Sequence, residues 1–320
     1  MSGADRRGTR TVLVTGAAGF IGSALCRRLR ALDCHVIAYD DLSRGRREFL
    51  PGDVPLVEGD IRDDARLRAT IAEAKPDWLI HLAAMHFIPD CIARPHDTID
   101  VNVDGTRRVL ESCRGSSVGL VIFASTAAVY APADDPCVED VTPLGPVDIY
   151  GESKLEGERL VREFHEETGI PVSSLRLFNA IGRHETNPHV VPAIFEALQS
   201  SDTIELGNTA PARDYIDTRD VAEAIVSIAA GAQGASVVNV GTGVAHTVND
   251  ILDRLRRLLG RPIAVVPDPA RMRAVERMRL VADITRVRGA TGWTPRISLD
   301  DTLSDLIAAY GLRGQAHPAP

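Results

Sequence analysis

The sequence predicts an α/β fold: a doubly wound parallel sheet with a smaller, interleaved α/β lobe. Three observations carry this. Short β-branched runs alternate with longer helical patterns through the first half of the chain. Several of those runs are almost continuously apolar, as parallel strands covered on both faces must be. A glycine-rich turn, Gly16-Ala17-Ala18-Gly19-Phe20-Ile21-Gly22, joins the first run to the first helical pattern.

Each element follows from its own residues. Thr11-Val12-Leu13-Val14-Thr15 reads as a strand, and 20–30 as the helix after the turn. Such a turn lets a pyrophosphate approach backbone N–H groups at a helix N-terminus, where no side chain blocks it. Val36-Ile37-Ala38-Tyr39-Asp40 reads as the second strand and ends in an acid. Asp40 lies 18 residues after Gly22, near the ~20-residue spacing at which a carboxylate meets the adenosine ribose. It can accept hydrogen bonds from both ribose hydroxyls and repels a 2′-phosphate, so NAD is favoured over NADP. Arg44, Arg46 and Arg47 follow and could attract a phosphate, but they read as a solvated loop, and Asp40 sits at the ribose itself.

Strands are expected at 54–60, 78–84, 120–126 and 172–179, with helices at 63–74, 97–114 and 150–168. Beyond Asn179 the rhythm breaks. Residues 182–189 are polar, a helix follows near 191–200, then a strand at 203–206 and a loop containing Pro211. Residues 220–230 read as a helix returning to the main sheet, and 237–240 as an added strand. A helix near 248–259, a strand at 263–266 and a helix near 299–310 complete the chain. The division expected is 11–182 for a NAD-binding unit, with 214–242 returning to it. Residues 183–213 and 243–312 form the second lobe, and 1–10 and 313–320 flexible tails.

Composition bounds the function. A chain of 320 residues, 44% hydrophobic, can bury a large core plus a smaller lobe. A net charge of −8 gives no global basic field for nucleic acid. Five scattered cysteines with no CxxC or His/Cys cluster signal neither a metal site nor a disulfide framework, so reduced thiols and a cytoplasmic location are expected. No apolar run approaches the ~18 residues of a membrane span. Residues 1–10 are basic and polar, without a secretory apolar core.

Tyr150 and Lys154 are four apart on a predicted helix, hence on one face. A phenol, with pKa ~10, is a poor base at neutral pH. A nearby ammonium stabilises the phenolate and lowers that pKa, and a bound nicotinamide cation lowers it further. Thr126, at the end of the fifth strand and 24 residues before Tyr150, offers a hydroxyl that can share the moving proton and orient a substrate oxygen.

Together these motifs resemble the extended short-chain dehydrogenase/reductase family. Within it they resemble the NAD-dependent nucleotide-sugar epimerases and dehydratases, closest to the UDP-sugar C4-epimerase branch. The resemblance covers about residues 11–312. It implies a Rossmann sheet in which Gly16, Gly19 and Gly22 hold the pyrophosphate and Phe20 and Ile21 begin the helix over it. Asp40 takes the ribose, Asp60 and Ile61 flank the adenine, and Leu82, Ala83 and Ala84 line the cofactor cleft. Asn102 supports the active-site backbone beside the cofactor. Tyr150 is the base, Lys154 its modulator and a partner of the nicotinamide ribose, and Thr126 the catalytic hydroxyl. On the substrate side the resemblance implies Asn179, Arg213 and Arg273 for a sugar diphosphate, which guanidinium forks suit. His86 and His189 stand where the family carries other polar residues near the substrate. A homodimer through 97–114 and 150–168 is implied as well.

The dehydratase branch resembles itself in an Asp-Glu pair directly after the hydroxyl residue. Here those positions are Ala127 and Ala128, which can neither protonate a leaving hydroxyl nor abstract a proton. The resemblance therefore implies C4 epimerisation of a nucleotide sugar, a UDP-hexose first. A net dehydrogenase or 4-ketoreductase, a UDP-glucuronate 4-epimerase, a dehydratase and a cofactor-sensing binding protein remain as alternatives.

Overall fold

The structure is a computed structural model that describes residues 9–269 and 277–312. The expected tails and Arg273 fall largely or wholly outside these residues.

The main sheet has seven strands, all parallel to their neighbours. They are β1 (Thr11–Thr15), β2 (His35–Asp40), β3 (Leu56–Glu58), β4 (Trp78–His81), β5 (Leu120–Thr126), β6 (Val172–Leu177) and, later in the chain, β10 (Ala235–Val240). Their order in space is β3-β2-β1-β4-β5-β6-β10. The winding therefore reverses between β1 and β4, which opens a crevice at their carboxyl ends.

Side chains alternate along each strand, so each strand feeds both faces. Val12 and Val14 of β1 join one core with Leu25 and Leu29 of α1 (Phe20–Arg30) and Ile225 of α8 (Thr218–Gly231). Leu13 points the other way. It joins Leu67 of α2 (Asp64–Ala74), Leu110 of α5 (Thr106–Cys113), and Leu160 and Phe164 of α6 (Ile149–Thr168). This two-sided burial is the physical cause of the continuous apolar runs.

A second group of elements sits beside the carboxyl edge. β9 (Ala212–Asp217) pairs in parallel with β7 (Asn179–Ile181) and β13 (Arg279–Leu280), and antiparallel with β11 (Ala245–Thr247). β8 (Thr203–Leu206) pairs with β12 (Ala264–Pro267). α7 (Val190–Leu198), α9 (Val248–Leu259) and α11 (Leu299–Ala309) supply the core around Phe195, Leu252, Leu255 and Leu303. α10 (Thr285–Thr291) packs back on the main sheet through Val287.

Two expectations change. The helix expected over 97–114 is α4 (Pro95–Ile99), a π-helical turn (Asp100–Gly105) and α5. The wider turn brings Asn102 against Met85, and π turns of this kind recur at functional sites. A separate short helix, α3 (Ile88–Ala93), precedes it with Pro89 in its first turn. The loop containing Pro211 is present after β8, but the strand β9 that follows it was not expected. Its pattern is hidden by Asp214, a fully buried carboxylate that accepts from Thr242 N (2.7 Å), Thr242 Oγ1 (2.5 Å), Gly243 N (2.8 Å) and Ala282 N (3.2 Å).

Candidate active site

A cleft of about 1530 Å³ runs along the carboxyl edge of the sheet. Every candidate residue within the described chain lines it except Asn102.

Its first wall is the glycine turn. Gly16 has φ +69°, and a Cβ there would lie 2.7 Å from Ala83 N, so the turn presses directly against the chain leaving β4. A Cβ at Gly22 would lie 2.1 Å from Gly16 O, so only glycine lets α1 start this close to the turn. No side chain caps α1 at Gly19, and its first turn carries no acid. Free N–H groups, the positive helix end and missing Cβ atoms together make a cradle for an anion. Asp40 is buried next to it and accepts from Ala18 N (2.9 Å) and Leu42 N (2.8 Å). Burial pushes its carboxyl up, and those two backbone bonds draw it down. Asp60 is paired with Arg62 (2.6 Å), which holds its carboxyl below the usual range.

A hydroxyl, a phenol and an amine meet at the centre. β5 delivers Thr126, and the N-terminus of α6, capped by Asp148 through Gly151 N (2.8 Å), delivers Tyr150 and Lys154. A Cβ at Gly157 would lie 2.4 Å from Phe123 Cζ, so α6 sits tight on β5. Lys154 Nζ lies 4.8 Å from the Phe123 ring centre in a buried site. Burial brings Lys154 down to about 7. It also pushes Tyr150 above the ordinary phenol range, with the Thr126 hydroxyl drawing it back. The sequence expectation that Lys154 lowers the phenol pKa thus meets an opposing desolvation cost. Asn102 is buried behind this group. Its Nδ2 donates to Met85 O (2.8 Å) and Ser153 Oγ (2.9 Å), and its Oδ1 accepts from Met85 N (2.8 Å). It acts on the cleft by fixing the 85 backbone to α6.

The opposite wall comes from the second group of elements. Asn179 opens β7 and is exposed to the cleft, and Arg213 lies half-buried on β9. Asp214, beside Arg213, pins β9 to the 242–243 and 282 backbones and is the residue sequence reasoning missed here. Arg277 was also missed. It is buried, lines the cleft and donates from Nη2 to Ala128 O (3.1 Å), and its Nε finds no partner among the described residues. His86 and His189, far apart in sequence, have ring centres 5.9 Å apart. The 182–189 loop then crosses to the first wall. His184 stacks on Phe49 at 4.2 Å and meets Arg27 Nη2 at 2.9 Å, and Thr186 Oγ1 donates to Arg44 O (3.2 Å). Arg44 pairs with Asp90 of α3 across the mouth.

A doubly wound sheet with a glycine cradle at its switch point, an acid ending β2 and a Thr/Tyr/Lys group beside the cradle defines a dinucleotide-dependent enzyme. The cradle, the bare α1 N-terminus and Asp40 fit NAD. Sequence comparison agrees: the NAD dependent epimerase/dehydratase family matches residues 12–241, and the chain belongs to that family. It is similar to the UDP-glucose 4-epimerase of Mycolicibacterium smegmatis, 33% identical over 315 residues, covering 95% of this chain and 99% of that protein. Among solved structures it is similar to the UDP-glucose 4-epimerase of Thermus thermophilus in complex with NAD. That match has 30% identity and a TM-score of 0.85, over 94% of this chain and 99% of the other. The Thermotoga maritima UDP-glucose 4-epimerase with UDP-glucose matches at 27% identity and a TM-score of 0.87, over 94% and 98%.

Proposed function

We propose that this chain catalyses NAD-dependent C4 epimerisation of a nucleotide sugar, a UDP-hexose. The observation that carries the reading is the meeting of Thr126, Tyr150 and, one helical turn on, Lys154 beside the glycine cradle in one cleft. NAD held at Gly16, Gly19, Gly22 and Asp40 would supply hydride acceptance from C4 and its return, and the positive charge of its oxidised ring would favour a phenolate.

The chain's own groups do the rest. Tyr150 takes the proton of the sugar 4-OH as C4 is oxidised to a ketone. Thr126 holds that oxygen and shares the proton. Lys154 supplies a nearby ammonium and a ribose partner. Arg213 and Asn179, with Arg273 from outside the described residues, hold the diphosphate while the 4-keto sugar presents its other face. Tyr150 then returns the proton to the inverted alcohol. Ala127 and Ala128 leave no acid or base for eliminating water. The 183–213 and 243–312 segments form the nucleotide-sugar lobe in this reading. All five cysteines are free and buried, in keeping with a cytoplasmic enzyme. Association as a homodimer through 97–114 and 150–168 belongs to the same reading. Among the described residues no helix is long and apolar enough to cross a membrane.

One observation favours UDP-glucuronate as a second substrate reading. Arg277 places a buried cation in the cleft wall beside Ala128, where an anionic sugar substituent could meet it. The experiment is a panel of UDP-sugars, neutral and uronic, with products resolved by chromatography and NADH followed at the same time. C4 epimers with no net NADH support the proposal. Net NADH formation, or no new epimer from any sugar, overturns it.

A further inference from the structure

We propose that His86, Glu185 and His189 bind one divalent transition-metal ion in the wall of the cleft. One ligand atom from each lies within 4.8 Å of the other two. His86 leaves β4, whereas Glu185 and His189 arrive on the loop before α7, so only the fold brings them together.

The donor set is specific. Two imidazoles and one carboxylate suit Zn²⁺ and its neighbours, while Ca²⁺ and Mg²⁺ prefer oxygen alone. His86 is oriented as a ligand. Its Nε2 faces the other two residues' loop and lies 3.0 Å from Asn187 Nδ2. Glu185 has a side chain only 8% exposed and accepts from Asn187 N (2.8 Å). Among the described residues no Lys or Arg forms an ion pair with it.

Asn187 bridges two of the three: its Nδ2 carries two N–H groups and lies 3.0 Å from His86 Nε2 and 3.2 Å from Glu185 Oε1. His189 Nε2 stands 3.9 Å from Glu185 Oε2. An ion bound among the three ligand atoms takes over the place of the bridging amide. Zn–N bonds of about 2.0–2.1 Å set ligand atoms roughly 3.3 Å apart, so the widest pair closes by up to about 1.5 Å. The ion ties the 82–89 loop to the 182–189 loop on the cleft wall. Three protein ligands leave a fourth position for water or a ligand oxygen.

The test does not depend on turnover. The full chain is stripped with chelator, given Zn²⁺ and desalted. Bound metal is counted by mass spectrometry, and affinity is measured against a chromophoric chelator. One equivalent is expected. His86→Gln, Glu185→Gln and His189→Gln should each weaken binding by about 100-fold, while His96→Gln, exposed on α4, should leave it unchanged. Co²⁺ should show ligand-field absorption in the wild type that Glu185→Gln, a near-isosteric change, removes without altering the thermal melt. Wild-type protein that retains no zinc at micromolar free metal overturns the proposal. So do variants that bind as the wild type does. Variants that lose nucleotide-sugar affinity while the wild type binds no zinc also overturn it, because the cluster then meets substrate directly.

Discussion

The two walls of the cleft are built on opposite terms. The glycine wall is a single stretch of chain in which the informative atoms are missing ones: no Cβ at Gly16 or Gly22, no capping side chain on α1. The facing wall is assembled from several segments far apart in the chain, and its informative atoms are side chains: His86, Glu185, Asn187, Arg213 and Arg277. A wall made of backbone approach tolerates almost no substitution. A wall made of side chains can change what it recognises while the fold stands, because each side chain answers to few neighbours.

Four experiments break or sharpen that contrast. Tyr150→Phe touches the group where both walls meet. It should lower turnover by about 10³-fold, with NAD binding by equilibrium dialysis unchanged, and a near-normal rate would rule out the phenol as base. Gly22→Ala puts a Cβ 2.1 Å from Gly16 O. It should abolish tight NAD binding and cost about 1–3 kcal/mol by overpacking, read by calorimetry with and without cofactor. A variant that keeps both NAD and its melting temperature would show that the first wall is softer than described.

Arg213→Gln removes a guanidinium from the second wall alone. KM for the nucleotide sugar should rise roughly 10-fold or more, the loss of a charged hydrogen bond, while NAD affinity and the melt stay put. A fall in NAD affinity instead would mean the walls are coupled.

The smallest effect is on pH. His81, at the end of β4, is buried between Thr15 Oγ1 (2.7 Å) and Thr106 Oγ1 (3.0 Å). Thr106 donates its own proton to Asn102 O (2.7 Å), so His81 donates at Nε2 and accepts at Nδ1, as a neutral ring does. Burial and the Lys154 charge bring its pKa down to about 3. Unfolded histidine binds its proton near pH 6.5, so between those values the unfolded state holds more protons. Stability therefore falls as pH drops from about 6.5 towards 3. His81→Gln should flatten that slope in denaturant titrations at stepped pH, and an unchanged slope would assign the acid sensitivity elsewhere.

What was legible in the sequence follows the same division. The glycine turn, Asp40 at the end of β2, and Tyr150 with Lys154 were readable because each is a short local pattern with one geometric meaning. The 97–114 segment was not, because a π turn has no distinctive period and is chosen by the contact it makes, here Asn102 on Met85. β9 was hidden by Asp214, whose charge is acceptable inside only because the 242, 243 and 282 backbones converge on it. Arg277 was indistinguishable from the arginines around it until burial singled it out.

By itself, then, the sequence determined the doubly wound sheet, the glycine turn before α1 and the spacing of the hydroxyl, phenol and amine proposed to react. All of these rest on spacings of a few residues that strand and helix geometry convert directly into position. Only the tertiary structure decided which side chains face one another across the cleft. His86 with Glu185 and His189, and Arg277 with Ala128, are neighbours through the packing of separate segments, and no local periodicity encodes a contact of that kind.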